Sequence, residues 1–245
     1  MFLNMAQFIK SQFLGLGLFF SISGFYSSYG IAINLYPGGT WKDSSTIGYS
    51  FWNNYLCDAL QQPALNGYPN PGSDFGLASY GFLLLTLVFW WTILAKLTES
   101  QSKRRANVIR ISAAMSCLGF VGTIVFPAEA RLLGAHFTAT ISAVLAGLAA
   151  TLVPFFGFLS DKNNRLFGKI GLILCSPVFI SILCYAAYHL KIPLFHNDTL
   201  IVSQQKISVI AISMLSFLTL GKELQANAGK LRWGQIALLL QRSQM

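Results

Sequence analysis

LLGAHFTATISAVLAGLAATLVPFFGFLS, residues Leu132 to Ser160, contains no Asp, Glu, Lys or Arg. A bilayer core about 30 Å thick is crossed by roughly 20 apolar residues of helix, with about 17 to 25 tolerated. This stretch is long enough, and four more like it occur: between Lys10 and Lys42, Phe75 to Ala95, Ile111 to Ala128, and Ile170 to Leu190. A sixth, Ile207 to Gly221, is short. It reaches full length if its helix starts near Leu200 and Lys206 snorkels to the interface. The expected fold is therefore an all-α membrane protein. It is a single bundle of about six transmembrane helices over 1–245, with spans near 12–35, 75–96, 108–126, 132–159, 168–190 and 200–221.

Composition agrees. Hydrophobic residues make up 54% of the chain and charged residues 10%, against about 25% charged in soluble domains. The net charge of +9 has a better explanation than nucleic acid, because Lys and Arg gather in the cytoplasmic loops of membrane proteins. With the N-terminus inside, the inner segments hold Lys10; Lys96, Lys103, Arg104, Arg105 and Arg110; Lys162, Arg165 and Lys169; and Lys222, Lys230, Arg232 and Arg242. The outer segments hold only Lys42, Arg131, Lys191 and Lys206. This predicts a multi-pass protein of the cell membrane with both termini cytoplasmic. Its natural partners are membrane lipids. The apolar run after Lys10 resembles a signal peptide in outline, but it continues through Tyr36, longer than a typical h-region, so the first helix is expected to be retained. The four cysteines form no disulfide framework. Only Cys57 falls in an outer loop, and Cys175 and Cys184 lie too far apart on one helix to bond.

The turn Tyr36-Pro37-Gly38-Gly39 ends the first span. A long outer loop, 37–73, follows and is rich in aromatics: Trp41, Tyr49, Phe51, Trp52, Tyr55 and Tyr68. These suit an interfacial belt combined with a lid over the helix ends, with a short helix near Tyr49 to Leu60. Phe89-Trp90-Trp91 before Lys96 reads as an inner-interface signature. A four-residue outer turn makes spans three and four an antiparallel hairpin. Ala135, Ala139, Ala143 and Gly147 stand at four-residue spacing, which lets helices approach closely in lipid. Span four is thus expected at the centre of the bundle, with Pro154 kinking its inner end and Pro177 kinking span five. Such small-residue faces also suit homo- or hetero-oligomers. Residues Leu231 to Leu240, flanked by Lys230, Arg232 and Arg242, form either an amphipathic segment on the inner leaflet or a frayed tail.

Four residues are candidates for a polar, outer-facing pocket. His136 lies one turn into span four, and an ionisable group there is either functional or bonded within the bundle, for instance to Thr140. Asp58 sits among the loop aromatics, where it can pair with Arg131, cap a helix, or bind a cation or headgroup. Glu129 and Arg131 share the tight turn, and Arg131 can contact phosphate oxygens. Counting about 1.5 Å per residue sets His136 about 7 Å below Arg131, so the four are expected to converge. His189, His196 and Asp198 flank span five without metal-ligand spacing, and no G-x-S-x-G or Walker loop occurs. No cofactor or metal is expected. Asn197-Asp-Thr199 is a glycosylation sequon. Three uses fit: binding of a lipid or small solute in the pocket, a lipid-acting membrane enzyme with His136 and Asp58 as acid and base, or a structural subunit of a larger complex. No span pair shows the inverted repeat or broken helices of many transporters.

Trp52-x-Asn54-Tyr55-x-Cys57-Asp58, then Asn66-Gly67-x-x-Asn70, a third span ending Phe126-Pro127, and His136 early in the fourth resemble uncharacterised bacterial six-helix membrane proteins distantly similar to the Frag1/DRAM-like superfamily. The resemblance spans most of the chain. It implies a six-helix bundle, with no biochemistry assigned among the bacterial members and lipid handling and trafficking associated with eukaryotic ones. Ala128 and Glu129 follow the Phe-Pro pair where the resemblance leads one to expect an Asp nearer the proline, so it transfers no site.

Overall fold

The computed structural model describes the backbone of residues 2–126, 133–192 and 198–242, and side chains from 12 to 228 within those limits except 133, 137, 189 and 198. Six helices follow one another: α1 Phe2–Leu35, α2 Ser73–Glu99, α3 Lys103–Val125, α4 Leu133–Leu159, α5 Arg165–His189 and α6 Asp198–Arg242. Each carries a segment long and apolar enough to cross a membrane, from Gln12–Leu35 in α1 to Thr199–Ala228 in α6. The only other helical element among the described residues is a 3-10 turn, Leu56–Leu60, in the loop between α1 and α2. It is smaller than the helix expected near Tyr49 to Leu60.

Local chemistry sets the ends. Pro37 disfavours helical geometry in the residue before it, and Gly38 and Gly39 take positive φ of 138° and 89°, which L side chains rarely adopt. The Ser102 hydroxyl caps α3 by accepting from the Arg105 amide at 3.3 Å, covering one of the helix's orphan donors. α4 and α5 run on through Pro154 and Pro177. α6 does not stop near Gly221 or break at Gly229. It continues to Arg242, so the segment 231–240 extends α6 rather than forming a separate element.

Successive helices pack side by side, and α6 closes the ring against α1 and α2. The central helix is α2, not α4. It touches α1, α3, α4, α6 and the 3-10 turn. The reason lies in its tryptophans. Trp90 and Trp91 are 1% and 4% exposed, turned into the bundle rather than outward. Trp90 Nε1 donates to Thr219 Oγ1 of α6 at 2.9 Å, and Trp91 Nε1 to Thr151 Oγ1 of α4 at 3.1 Å. With their N–H groups satisfied, both indoles can fill the core beside Leu18, Ile22, Phe155 and Leu215.

The small-residue stripe of α4 lies against α3. A methyl group placed on Gly119 would fall 2.6 Å from Ala143 N and 2.8 Å from Ala139 O. Ser116 Oγ donates to Ala143 O at 2.6 Å. Ala139, Ala143 and Gly147 are thus used in a contact within the chain, and Ala135 is left at an open crevice.

Candidate functional site

The loop between α1 and α2 is organised by buried polar side chains. Asn54, Asp58 and Asn70 are all 0% exposed. Asn70 Nδ2 donates to the carbonyls of Ala59 and Gln61, and its Oδ1 accepts from Gly72 N. Asn54 Nδ2 donates to Gly39 O at 2.8 Å and to Asp58 Oδ2 at 3.1 Å. The aromatics divide into two sets. Tyr36 and Tyr49 face inward, with Tyr49 hydrogen-bonded to Tyr29 of α1. Trp41, Trp52 and Tyr68 remain exposed. The loop is therefore a lid on one side and offers an aromatic surface on the other.

Asp58 is the pivot of the lid. Oδ1 accepts from Trp41 Nε1 at 3.0 Å, and Oδ2 accepts from Asn54 and from the Tyr55 amide at 2.8 Å. The last bond caps the 3-10 turn, one of the roles expected of Asp58. Burial pushes its carboxyl above the usual carboxylate range, although the donors from Asn54, Trp41 and Tyr55 and the charge of Lys206 pull the other way. Burial likewise pushes the Tyr36 and Tyr49 phenols up. Trp41, Asn54 and Tyr55 thus engage both carboxylate oxygens of Asp58.

Lys206 was expected to snorkel outward. It is 2% exposed and turns inward instead. Its Nζ donates to the Asn54 carbonyl and lies 5.6 Å from the ring centres of both Tyr49 and Phe51, within cation–π range. The neighbouring Gln205 accepts from the Leu56 amide through Oε1 at 2.9 Å. Two adjacent residues of α6 therefore hold the lid shut, at the same place where Asp58 supplies a compensating negative charge.

His136 stands elsewhere. Its Nδ1 is 2.7 Å from Phe126 O at the end of α3. A carbonyl only accepts, so Nδ1 carries the hydrogen. Thr140, named as a partner for the ring, instead donates to the His136 carbonyl. The lid folds over α1, α2 and α6, and Asp58 and His136 are held by different partners. Glu129 and Arg131 lie outside the described residues, as do His196, Asn197 and the side chains of His189 and Asp198.

Beside His136, an apolar crevice of about 590 Å³ opens between α3 and α4, lined by Met115, Leu118 and Gly122 on one helix and Ala135, Thr138 and Ser142 on the other. Among the described residues, no group of three or more His, Cys, Asp and Glu could hold a metal. Sequence reasoning missed Lys206, Gln205 and, at the opposite end of the bundle, Glu223. A signal for the first did exist: Lys206 alone shortens the sixth uncharged run, and a charge that deep needs an acceptor. Compared with family models, curated proteins and solved structures, the chain matches none.

Proposed function

We propose that this is a multi-pass protein of the cell membrane, with both termini cytoplasmic, that binds a phospholipid by seating an acyl chain between α3 and α4. The crevice carries the reading. Its wall is apolar and smooth because Gly119, Gly122, Ala135 and Ala139 expose little beyond backbone and methyl groups. It opens at the outer ends of the two helices, beside the His136 ring bonded to the Phe126 carbonyl. Arg131 lies five residues before His136 in sequence and suits phosphate oxygens. A resident acyl chain would complete a helix surface that lacks side chains of its own, with dispersion contacts summed over its length. The lipid association implied by the Frag1/DRAM-like resemblance points the same way. Of the residues that carry that resemblance, Asn54, Asp58 and Asn70 form the lid, whereas Phe126 lines the crevice and bonds His136.

The test is photolabelling in lipid nanodiscs with a phospholipid whose acyl chain carries a diazirine, followed by mapping of the labelled peptides. Label should concentrate on α3 and α4 around Met115 and Ser142. Ala135→Phe should fill the crevice and reduce that label several-fold. Ile173→Phe, on a 68% exposed position of α5, should leave it unchanged. Labelling spread evenly over all exposed helix faces and indifferent to Ala135→Phe would overturn the proposal.

A further inference from the structure

α6 carries a second polar face far from the lid. Ser216, Thr219, Glu223 and Asn227 recur at helical spacing and are 0%, 0%, 1% and 5% exposed, on the side turned to α1 and α2. An ionisable group at such a position is a functional candidate. Glu223 Oε1 accepts from Lys96 Nζ of α2 at 3.0 Å. Its other oxygen, Oε2, is buried and has no partner among the described residues. α1 comes close at this point: a methyl group placed on Gly15 would lie 3.4 Å from Oε2. One turn along the same face of α1 is Gln12, 6% exposed, whose Oε1 is also buried and unpartnered. Two acceptors on one seam, each lacking a donor, leave a donor missing. Unmade hydrogen bonds of this kind cost about 1–3 kcal/mol each.

We infer that Glu223 is a proton-binding site in the inner half of the bundle, shared between α6 and α1. A proton taken up from the inner side adds to Oε2. The new O–H donates to Gln12 Oε1 and supplies both orphan oxygens with one bond. Lys96 keeps its own protons. Its side chain is 42% exposed, so the ammonium can leave the neutralised carboxyl and turn to water. The site then passes from an ion pair to a neutral acid plus a solvated cation. The other charges nearby are occupied or turned away: Glu99 pairs with Arg110, Lys222 acts on Asp161, and Arg165 and Lys169 of α5 are exposed. From α1, the described residues facing Glu223 carry no charge. A reversed Gln12 amide is the rival arrangement. Its Nε2 would donate to an ionised Glu223, and no proton would be bound.

The experiment is infrared difference spectroscopy of the full chain in nanodiscs between about pH 4 and 9, a range that brackets the ordinary Glu value near 4.3. A protonated-carboxyl stretch that titrates and shifts in heavy water is expected. One component of it should be lost in Glu223→Gln and kept in Glu99→Gln. In Lys96→Met it should persist to higher pH, because the cation that favours ionisation is gone. A band that titrates identically in the unmodified protein and in Glu223→Gln overturns the inference. A band whose titration does not move in Lys96→Met also overturns it, and that arm holds even where Glu223→Gln does not fold.

Discussion

Lys206, two turns into α6, donates its ammonium to the backbone carbonyl of Asn54 in the loop that joins α1 to α2. The same asparagine binds Asp58 through its side chain. A lysine at the head of one helix and an aspartate in a distant loop are therefore linked through one residue, with the rings of Tyr49 and Phe51 around the cation.

Lys206→Met should open the lid. Loss of a buried, charge-assisted hydrogen bond costs about 1.5–3 kcal/mol. The variant should unfold earlier on heating in detergent, and the loop should become sensitive to protease added from the outer side. Lys162→Met, at an exposed position between α4 and α5, should shift stability by less than about 0.5 kcal/mol.

The lid should respond to pH through Asp58. Its carboxyl lies above the ordinary range in the folded protein, so between the unfolded and folded values the native state binds more protons than the unfolded one. Stability then falls as pH rises through that window. Loop protection from hydrogen exchange should accordingly be greatest in mild acid and weaken toward neutrality. Asp58→Asn should flatten the profile, since Asn keeps one acceptor and cannot ionise.

Two glycines separate packing from helix propensity. At Gly119 a side chain would press on the backbone of Ala139 and Ala143. Gly119→Ala should therefore destabilise by about 1–3 kcal/mol. At Gly30 nothing lies within 4 Å of an added methyl group, and Gly30→Ala should gain about 0.5–1 kcal/mol from helix propensity. Thermal unfolding of the two variants side by side measures both signs.

Orientation follows from the basic residues. Reporter fusions at either terminus should register as cytoplasmic, and a fusion at Asn66 should register as external. A cytoplasmic signal from Asn66 would reverse the reading of every loop, including the side from which Glu223 takes its proton.

The six helices were legible because an apolar core of fixed thickness demands uncharged runs of fixed length, and nothing else in the chain competes with them. The contact of Ala139 and Ala143 with another helix was legible for a similar reason, since four-residue spacing puts small residues on one face. The identity of the central helix was not. Trp90 reads equally well as a belt residue or a core residue, and what decides between them is Thr219, 129 positions away. Lys206 is the same case. Its position suited snorkelling, and its inward turn depends on an acceptor in a loop far back in the chain. Asp58 stood out as a carboxylate among loop aromatics, but its burial arises from Asn54, Trp41 and Tyr55 closing around it, which no local pattern encodes.

The distance in sequence between Lys206 and Asn54 also has a consequence for biosynthesis. They stand 152 residues apart, and at about 5–20 residues per second a ribosome makes the lid roughly 8–30 s before the lysine that holds it. For that interval Asp58 has no cation beside it and Leu56 has no Gln205 to receive its amide. Closure of the lid must wait for α6, so a chain arrested before α6 would carry an open lid that a chaperone or protease can recognise.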